Sequence, residues 1–409
     1  MKNKVTISRL LLDLSSLIYL PISILSIFCF LLKPRYQSVF FVSLIFSGFA
    51  FLLIPYNVWD LARHYESFLT ISNMPFSELF EYGHIRYLPL HVYMWFIASI
   101  GLPKEVLPAI SIFFSYITLL TILVNIHESK RLTDFQFLIL TISIWCAVPF
   151  IGIASSLRQH LAIIIFIYGM WNYVLKNKSK YLLYLFVGLL IHSSVIVLLI
   201  IMFACKLKIN DNIKRFSSIL FVLLMASGLS SDLFFSVISV FKNILVENGF
   251  YFALYFDKSI IMESIDSLSK FEYVVKFIVN PMLFYCVAFF YSFYCKTSCK
   301  EERLINDFLY LLLLTIFIVS PSETIFSRFS FAFTVLGILY IFNYNIFQYS
   351  MVKRTLLYFL LLLSITITTL VKTNAYKLVI IPSWSRVLYT PSVFFPIYSK
   401  EDIDSIKVE

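Results

Sequence analysis

The chain has 409 residues, 60% of them hydrophobic and only 14% charged, with a formal net charge of +10 and a mean hydropathy of +0.87. A soluble domain would be about half apolar and a quarter charged, which excludes a soluble globular protein. The Lys and Arg residues sit mostly in short clusters between apolar runs, so the positive balance reads as membrane sidedness and not as a nucleic-acid surface.

Apolar runs able to cross about 30 Å of hydrocarbon occupy 10–32, 37–55, 87–103, 106–126, 135–153, 157–175, 181–204, 216–234, 271–294, 304–322, 328–348 and 355–371. They predict an all-α fold, a single polytopic integral membrane domain over 1–409 with about 11–13 transmembrane or re-entrant helices. Run 10–32 lacks a small-residue cleavage site and leads directly into the next, so it reads as a retained helix. Two connections are long, at about 56–86 and 235–270, and both are expected as outer loops; a polar tail is expected over 372–409.

The basic clusters conflict with strict alternation. Lys176, Lys178 and Lys180 precede the run 181–204, and Lys206, Lys208, Lys214 and Arg215 follow it, yet one crossing should separate them. Either the segment enters, breaks near Gly188 to Ser194 and returns to the same side, or it is an ordinary span with one exceptional basic loop. The N-terminal side is open, because Lys2, Lys4 and Arg9 compete with Lys33 and Arg35 for the inside. Run 87–103 fits only if it is short or re-entrant.

Polar residues with chemical capacity concentrate at three places. The early loop gathers Asp60, Arg63, His64, Tyr65, Glu66, Glu78, Glu81, His84, Arg86 and His91, and a helix would set Asp60, Arg63 and His64 on one face. A surface-lying amphipathic helix with local ion pairs explains the same pattern. Arg158, with Gln159 and His160, follows Ser155 and Ser156, which predicts capping serines and an arginine in the first helical turn. Unpaired N–H groups and a guanidinium fork together make a receptor for phosphate. Arg328 repeats the device in SPSETIFSRFSFAF; the plain alternative for both is snorkelling to the interface. His192 lies mid-run with nowhere to snorkel, so it is either a satisfied buried histidine or a general base.

Six cysteines (Cys29, Cys146, Cys205, Cys286, Cys295 and Cys299) lie mostly in or beside the runs, and Cys295 and Cys299 have no histidine near to complete a zinc site. No metal site and no cofactor is expected. No Walker loop, G-x-S-x-G or H-E-x-x-H occurs.

In order and spacing, these elements resemble the EpsG family of Wzy-type O-antigen and capsular polysaccharide polymerases. The resemblance rests on Asp60-x-x-Arg63-His64-Tyr65, then Glu81-Tyr82-Gly83, then Leu157-Arg158-Gln159-His160-Leu161-Ala162, a lysine-rich turn, and Ile191-His192-Ser193-Ser194. It implies a multi-pass protein of the bacterial cytoplasmic (inner) membrane. Such an enzyme joins undecaprenyl diphosphate-linked oligosaccharide repeats on the outer face, with a lipid-linked donor and acceptor as substrates and a flippase and chain-length regulator as partners. On that expectation Arg158 and Arg328 hold the diphosphate, with Gln159, His160 and Arg86 also binding substrate. His192 is the base with Asp60 in reserve, and Arg63, His64 and Tyr65 position sugar. The competing readings are a lipid-linked oligosaccharide flippase, which is no enzyme, and an O-antigen ligase, which normally places its histidine late in the chain.

Overall fold

A computed structural model describes residues 7–18, 20–53, 60–82, 87–205, 210–227, 278–294, 300–320, 322–345 and 349–376. Among these lie sixteen α-helices and no strand, as expected of an all-α membrane chain. The 235–270 loop, Arg86, Cys295 and Cys299 lie outside the described residues. So does the tail beyond Tyr376.

In chain order the helices are α1 (Ile7–Ile18), α2 (Leu20–Leu32), α3 (Tyr36–Phe51), α4 (Asp60–Ile71), α5 (Leu88–Ser99), α6 (Val106–Lys130), α7 (Asp134–Ala147) and α8 (Phe150–Ser156). They continue with α9 (Gln159–Lys176), α10 (Leu182–Ile191), α11 (Val195–Ala204), α12 (Asp211–Ser227), α13 (Met282–Tyr294), α14 (Lys300–Val319), α15 (Glu323–Tyr340) and α16 (Met351–Tyr376). Among the described residues, two stretches have the length and apolarity of a full crossing, α6 and Ile325–Tyr344. The second continues α15 into the π-helical turn Ile341–Asn345. A third candidate is α7 with α8, bent by 43° where Pro149 interrupts the run.

Local sequence sets several helix ends. Thr133 caps α7 and forms a capping box with Gln136. Arg131 after α6 and Asn177 after α9 adopt the left-handed conformation, with φ of 51° and 47°. Most of the buried side chains form one continuous core, in which Trp171, Phe166, Tyr291, Phe333 and Tyr340 are almost fully enclosed.

Side-chain pairings give the helix directions. Tyr36 donates to Asn125 at 2.6 Å and Ser47 to the Ala109 carbonyl at 2.9 Å, so α3 and α6 are antiparallel. His160 meets Phe331 and Trp171 meets Tyr344, with ring centroids 4.9 and 6.3 Å apart, so α9 and α15 are parallel. Tyr340 donates to Glu302 at 3.4 Å, so α14 runs against α15. Lys214 pairs with Asp307, Ser217 donates to Tyr310 at 3.1 Å, and Phe221 stacks on Phe317 at 4.8 Å, which makes α12 parallel to α14. On α10, Tyr184 lies against Gly169 and Gly188 against Ala162, so α10 is antiparallel to α9.

These directions decide the parity conflict. Helices α10 and α12 both run against α9, so the short α11 between them must bring the chain back. The return is built at the expected place: α10 ends at Ile191 and α11 starts at Val195. Each half has ten residues, about 15 Å, too short to be an independent crossing of about 30 Å. The start of α12, with Lys214 and Arg215, therefore shares an end of the bundle with Lys176, Lys300 and Arg303. Lys130 joins the same end through the Tyr344 ring, 5.4 Å away. By the positive-inside rule this basic end is the one expected to face the cytoplasm.

Two expectations need correction. Run 10–32 is not one span. Asp13 and Ser26 are hydrogen-bonded, although a continuous helix would hold residues thirteen apart about 20 Å from each other, so α1 and α2 fold back on one another. Asp13 is buried, and this bond satisfies a carboxylate that lipid would penalise. The fold-back also turns the start of α1 toward the end that holds Lys33 and Arg35. Run 87–103 is not a span either. The end of α3 and the start of α6 lie at one end of the bundle, and α5 has only twelve residues between them. Instead α5 packs with α4 in a small separate core of Leu61, Tyr65, Phe68, Leu90, Met94 and Leu157, on the end opposite the basic clusters.

Candidate functional site

The apolar stripe Leu61, Tyr65, Phe68 and Ile71 turns one face of α4 inward and leaves Asp60 and Arg63 exposed as an ion pair. Leu157 is buried in the same small core, so the turn before α9 is clamped beneath α4. Its backbone is unusual. Leu157 has φ 54° and ψ −39°, and the Arg158 N–H donates to the Ser156 carbonyl at 2.6 Å. This is a γ-turn of the rare, strained kind.

The γ-turn corrects the expected capping. Ser155 and Ser156 end α8 and do not cap α9; Arg158 itself takes the N-cap position, with no side-chain cap bond. Ser156 instead bonds His160 through Nδ1 at 3.0 Å. The guanidinium of Arg158 lies over the Tyr87 ring at 4.4 Å. Tyr87 stacks on His91, and Tyr82 meets His91 edge-on, with centroids 6.2 and 5.0 Å away. A cation–π contact of this kind contributes about 0.5–2 kcal/mol and fixes the plane of the fork. No sequence motif marks Tyr87 and His91 for this part. Their signal is the i, i+4 spacing at the start of α5, marked by Pro89.

His64 lies half-buried on α4, near enough to Arg158 and His91 for their charges to act on it. Burial pushes its imidazole down to about 4; Asp60 acts upward, while Arg158, Arg63 and His91 push it further down. It is therefore neutral at pH 7, and no hydrogen bond to either ring nitrogen occurs among the described residues. Tyr65 points away, into the small core, beneath the Lys104 ammonium at 5.4 Å from its ring, and burial holds its hydroxyl well above the ordinary range.

Arg328 sits half-buried in the second turn of α15, not at its opening. Phe331, one turn later, lies against His160, so the parallel register sets Arg328 level with the Leu157–Arg158 turn. The register of α10 against α9 carries His192, one turn past Gly188, to the same level. His192 is extended, at φ −153° and ψ 129°, and its Nδ1 accepts the Ser194 N–H at 3.1 Å and bonds the Ser194 hydroxyl at 2.8 Å. An Nδ1 that accepts a backbone N–H leaves the ring hydrogen on Nε2. His192 thus closes the tip of the hairpin.

The structure accordingly gathers Asp60, Arg63, His64, Arg158, Gln159, His160, His192 and Arg328 at one end of the bundle, opposite the basic clusters. It sets Tyr65 inside the adjacent core, and Arg86 lies outside the described residues. No group of three metal-ligating side chains occurs among the described residues. The family model described as the EpsG family matches residues 39–382. No curated protein and no solved structure matches the chain.

Proposed function

The chain belongs to the EpsG family, and on that premise we propose that it is a membrane glycosyltransferase polymerising lipid diphosphate-linked oligosaccharide repeats on the outer face of a bacterial cytoplasmic membrane. The observation that carries this reading is the level pairing of Arg158 and Arg328 on two parallel helices, at the end away from the basic clusters. Two guanidinium groups match the two phosphates of a lipid diphosphate.

In the reaction, the sugar C1–oxygen bond to the diphosphate breaks as an acceptor hydroxyl oxygen bonds to the same C1. The lipid diphosphate leaves with the electron pair, and Arg158, Arg328 and the Nε2–H of His192 offset the growing charge. The hydroxyl proton passes to a base beside the clamp. The donor arrives activated, so no nucleotide loop is needed.

The test is glycan length in cells that carry Arg158→Ala in place of the wild type. The expected outcome is normal membrane levels of the protein with single-repeat glycan only. Normal chain lengths would remove Arg158 from the chemistry. Complete loss of the repeat in a deletion strain would favour a flippase.

A further inference from the structure

We infer that His64 is the base that takes the acceptor proton, and that it acquires this capacity only when an anion occupies the Arg158 turn. The inference rests on the diphosphate reading above and adds to it a residue and a coupling.

Among the described residues, the other histidines near the proposed clamp are each held by their neighbours. His192 uses Nδ1 to hold the hairpin tip. His160 bonds Ser156 and packs edge-on against Phe331. His91 is buried, its ring packed against those of Tyr82 and Tyr87. His64 has no such commitment among the described residues. It sits on α4, whose inward face packs in the small core, and Leu157 in that core joins the arginine turn to this helix.

The charges around His64 give the coupling its direction. On its own helix are Asp60 and Arg63; from α5 comes His91, and from the turn before α9 comes Arg158. Lys104 and Glu105 face Tyr65 on the far side of the helix. With the site empty, burial and the two guanidinium groups disfavour a protonated imidazole, and Asp60 is already paired with Arg63. A dianion bound at Arg158 compensates that guanidinium and adds negative charge beside the ring. Both changes favour protonation. The base is thus inert in the empty site, and becomes proton-hungry when donor diphosphate is in place. By reciprocity, protonation of His64 tightens anion binding by the same factor.

The reciprocal effect can be measured without turnover. Inorganic pyrophosphate is titrated into the purified full-length chain in detergent, at pH 8 and pH 6, in two buffers of different ionisation enthalpy so that proton uptake is counted. The wild type is expected to bind about three- to tenfold more tightly at pH 6 than His64→Gln does, after normalising each to pH 8, with net proton uptake greater than in the variant. Comparing the two proteins cancels the titration of pyrophosphate itself. A second variant, His64→Asn, guards against a folding defect, and both are compared with the wild type by size exclusion. Equal pH dependence and equal proton uptake in wild type and variants overturn the coupling. Absence of pyrophosphate binding overturns it as well, because the clamp is then not an anion site. The polymerase reading stands or falls separately, on glycan length: His64-linked proton uptake in a protein whose deletion leaves chain length unchanged would keep the coupling and end the polymerase reading.

Discussion

Leu157 shows how strain and burial compete at one residue. Its positive φ costs about 1–3 kcal/mol, while its buried side chain contributes about 2–5 kcal/mol by the usual large-to-small scale. Burial outweighs the strain, so Leu157→Gly is expected to lose on the order of 1–2 kcal/mol, seen as a lower Tm. A variant more stable than the wild type would show the opposite balance. At Arg158, a lysine keeps the charge but loses the planar fork held over Tyr87. Arg158→Lys should therefore cut polymerisation by about 10–100-fold, the equivalent of one charge-assisted hydrogen bond of about 1.5–3 kcal/mol; in vitro chain extension measures it, and unchanged rates would reduce Arg158 to a point charge. His64 gives a pH signature. Its folded pKa of about 4 lies below the unfolded value of 6.5, so the unfolded chain binds the extra proton between these values. Stability from this group is complete above pH 6.5 and is lost as pH falls toward about 4. Melting curves over that window should fall more steeply for the wild type than for His64→Gln.

At the scale of elements, the contact of α9 with α10 sets the height of His192. A methyl at Gly188 would lie 3.0 Å from the Ala162 carbonyl oxygen, and one at Gly169 would lie 2.8 Å from Tyr184 Cβ. Small residues let these helices approach where lipid supplies no hydrophobic drive. Gly188→Val should wedge α10 away and displace the hairpin tip, leaving the protein in the membrane but shortening its glycan. Full-length glycan from that variant would separate His192 from the reaction. How far such elements could be read in advance depended on what each left in the sequence. The hairpin was legible because lysines on both sides of 181–204 broke the charge alternation, and His192-Ser193-Ser194 broke the apolar run. The level pairing of Arg158 and Arg328 was legible only as a repeated device, since their approach depends on packing between helices distant in the chain. The stack of Tyr87 and His91 under Arg158 left no mark beyond a helical spacing, and the γ-turn at Leu157 left none, because nothing in Ser-Ser-Leu-Arg demands a positive φ. The fold-back of α1 on α2 was hidden by composition: Asp13 and Ser26 look like minor polar interruptions until they meet.

For the whole molecule, the decisive property is which end each loop occupies. In a background lacking native cysteines, Ser193→Cys should react with an impermeant maleimide added to intact cells stripped of the outer barrier. Ser179→Cys and Asn212→Cys should react only after permeabilisation, because both flank the hairpin at the basic end. Labelling of Asn212→Cys from outside would turn the hairpin into a crossing. The fold-back of α1 on α2 also bears on how the chain is made. Because that pair enters and returns, α3 follows it with Lys33 and Arg35 just ahead of its first turn. Those two residues then set the orientation of α3. A reporter fused at the start of α3 and one fused at its end should therefore report opposite compartments, and neutralising Lys33 and Arg35 should scramble insertion where neutralising Lys2 and Lys4 does not.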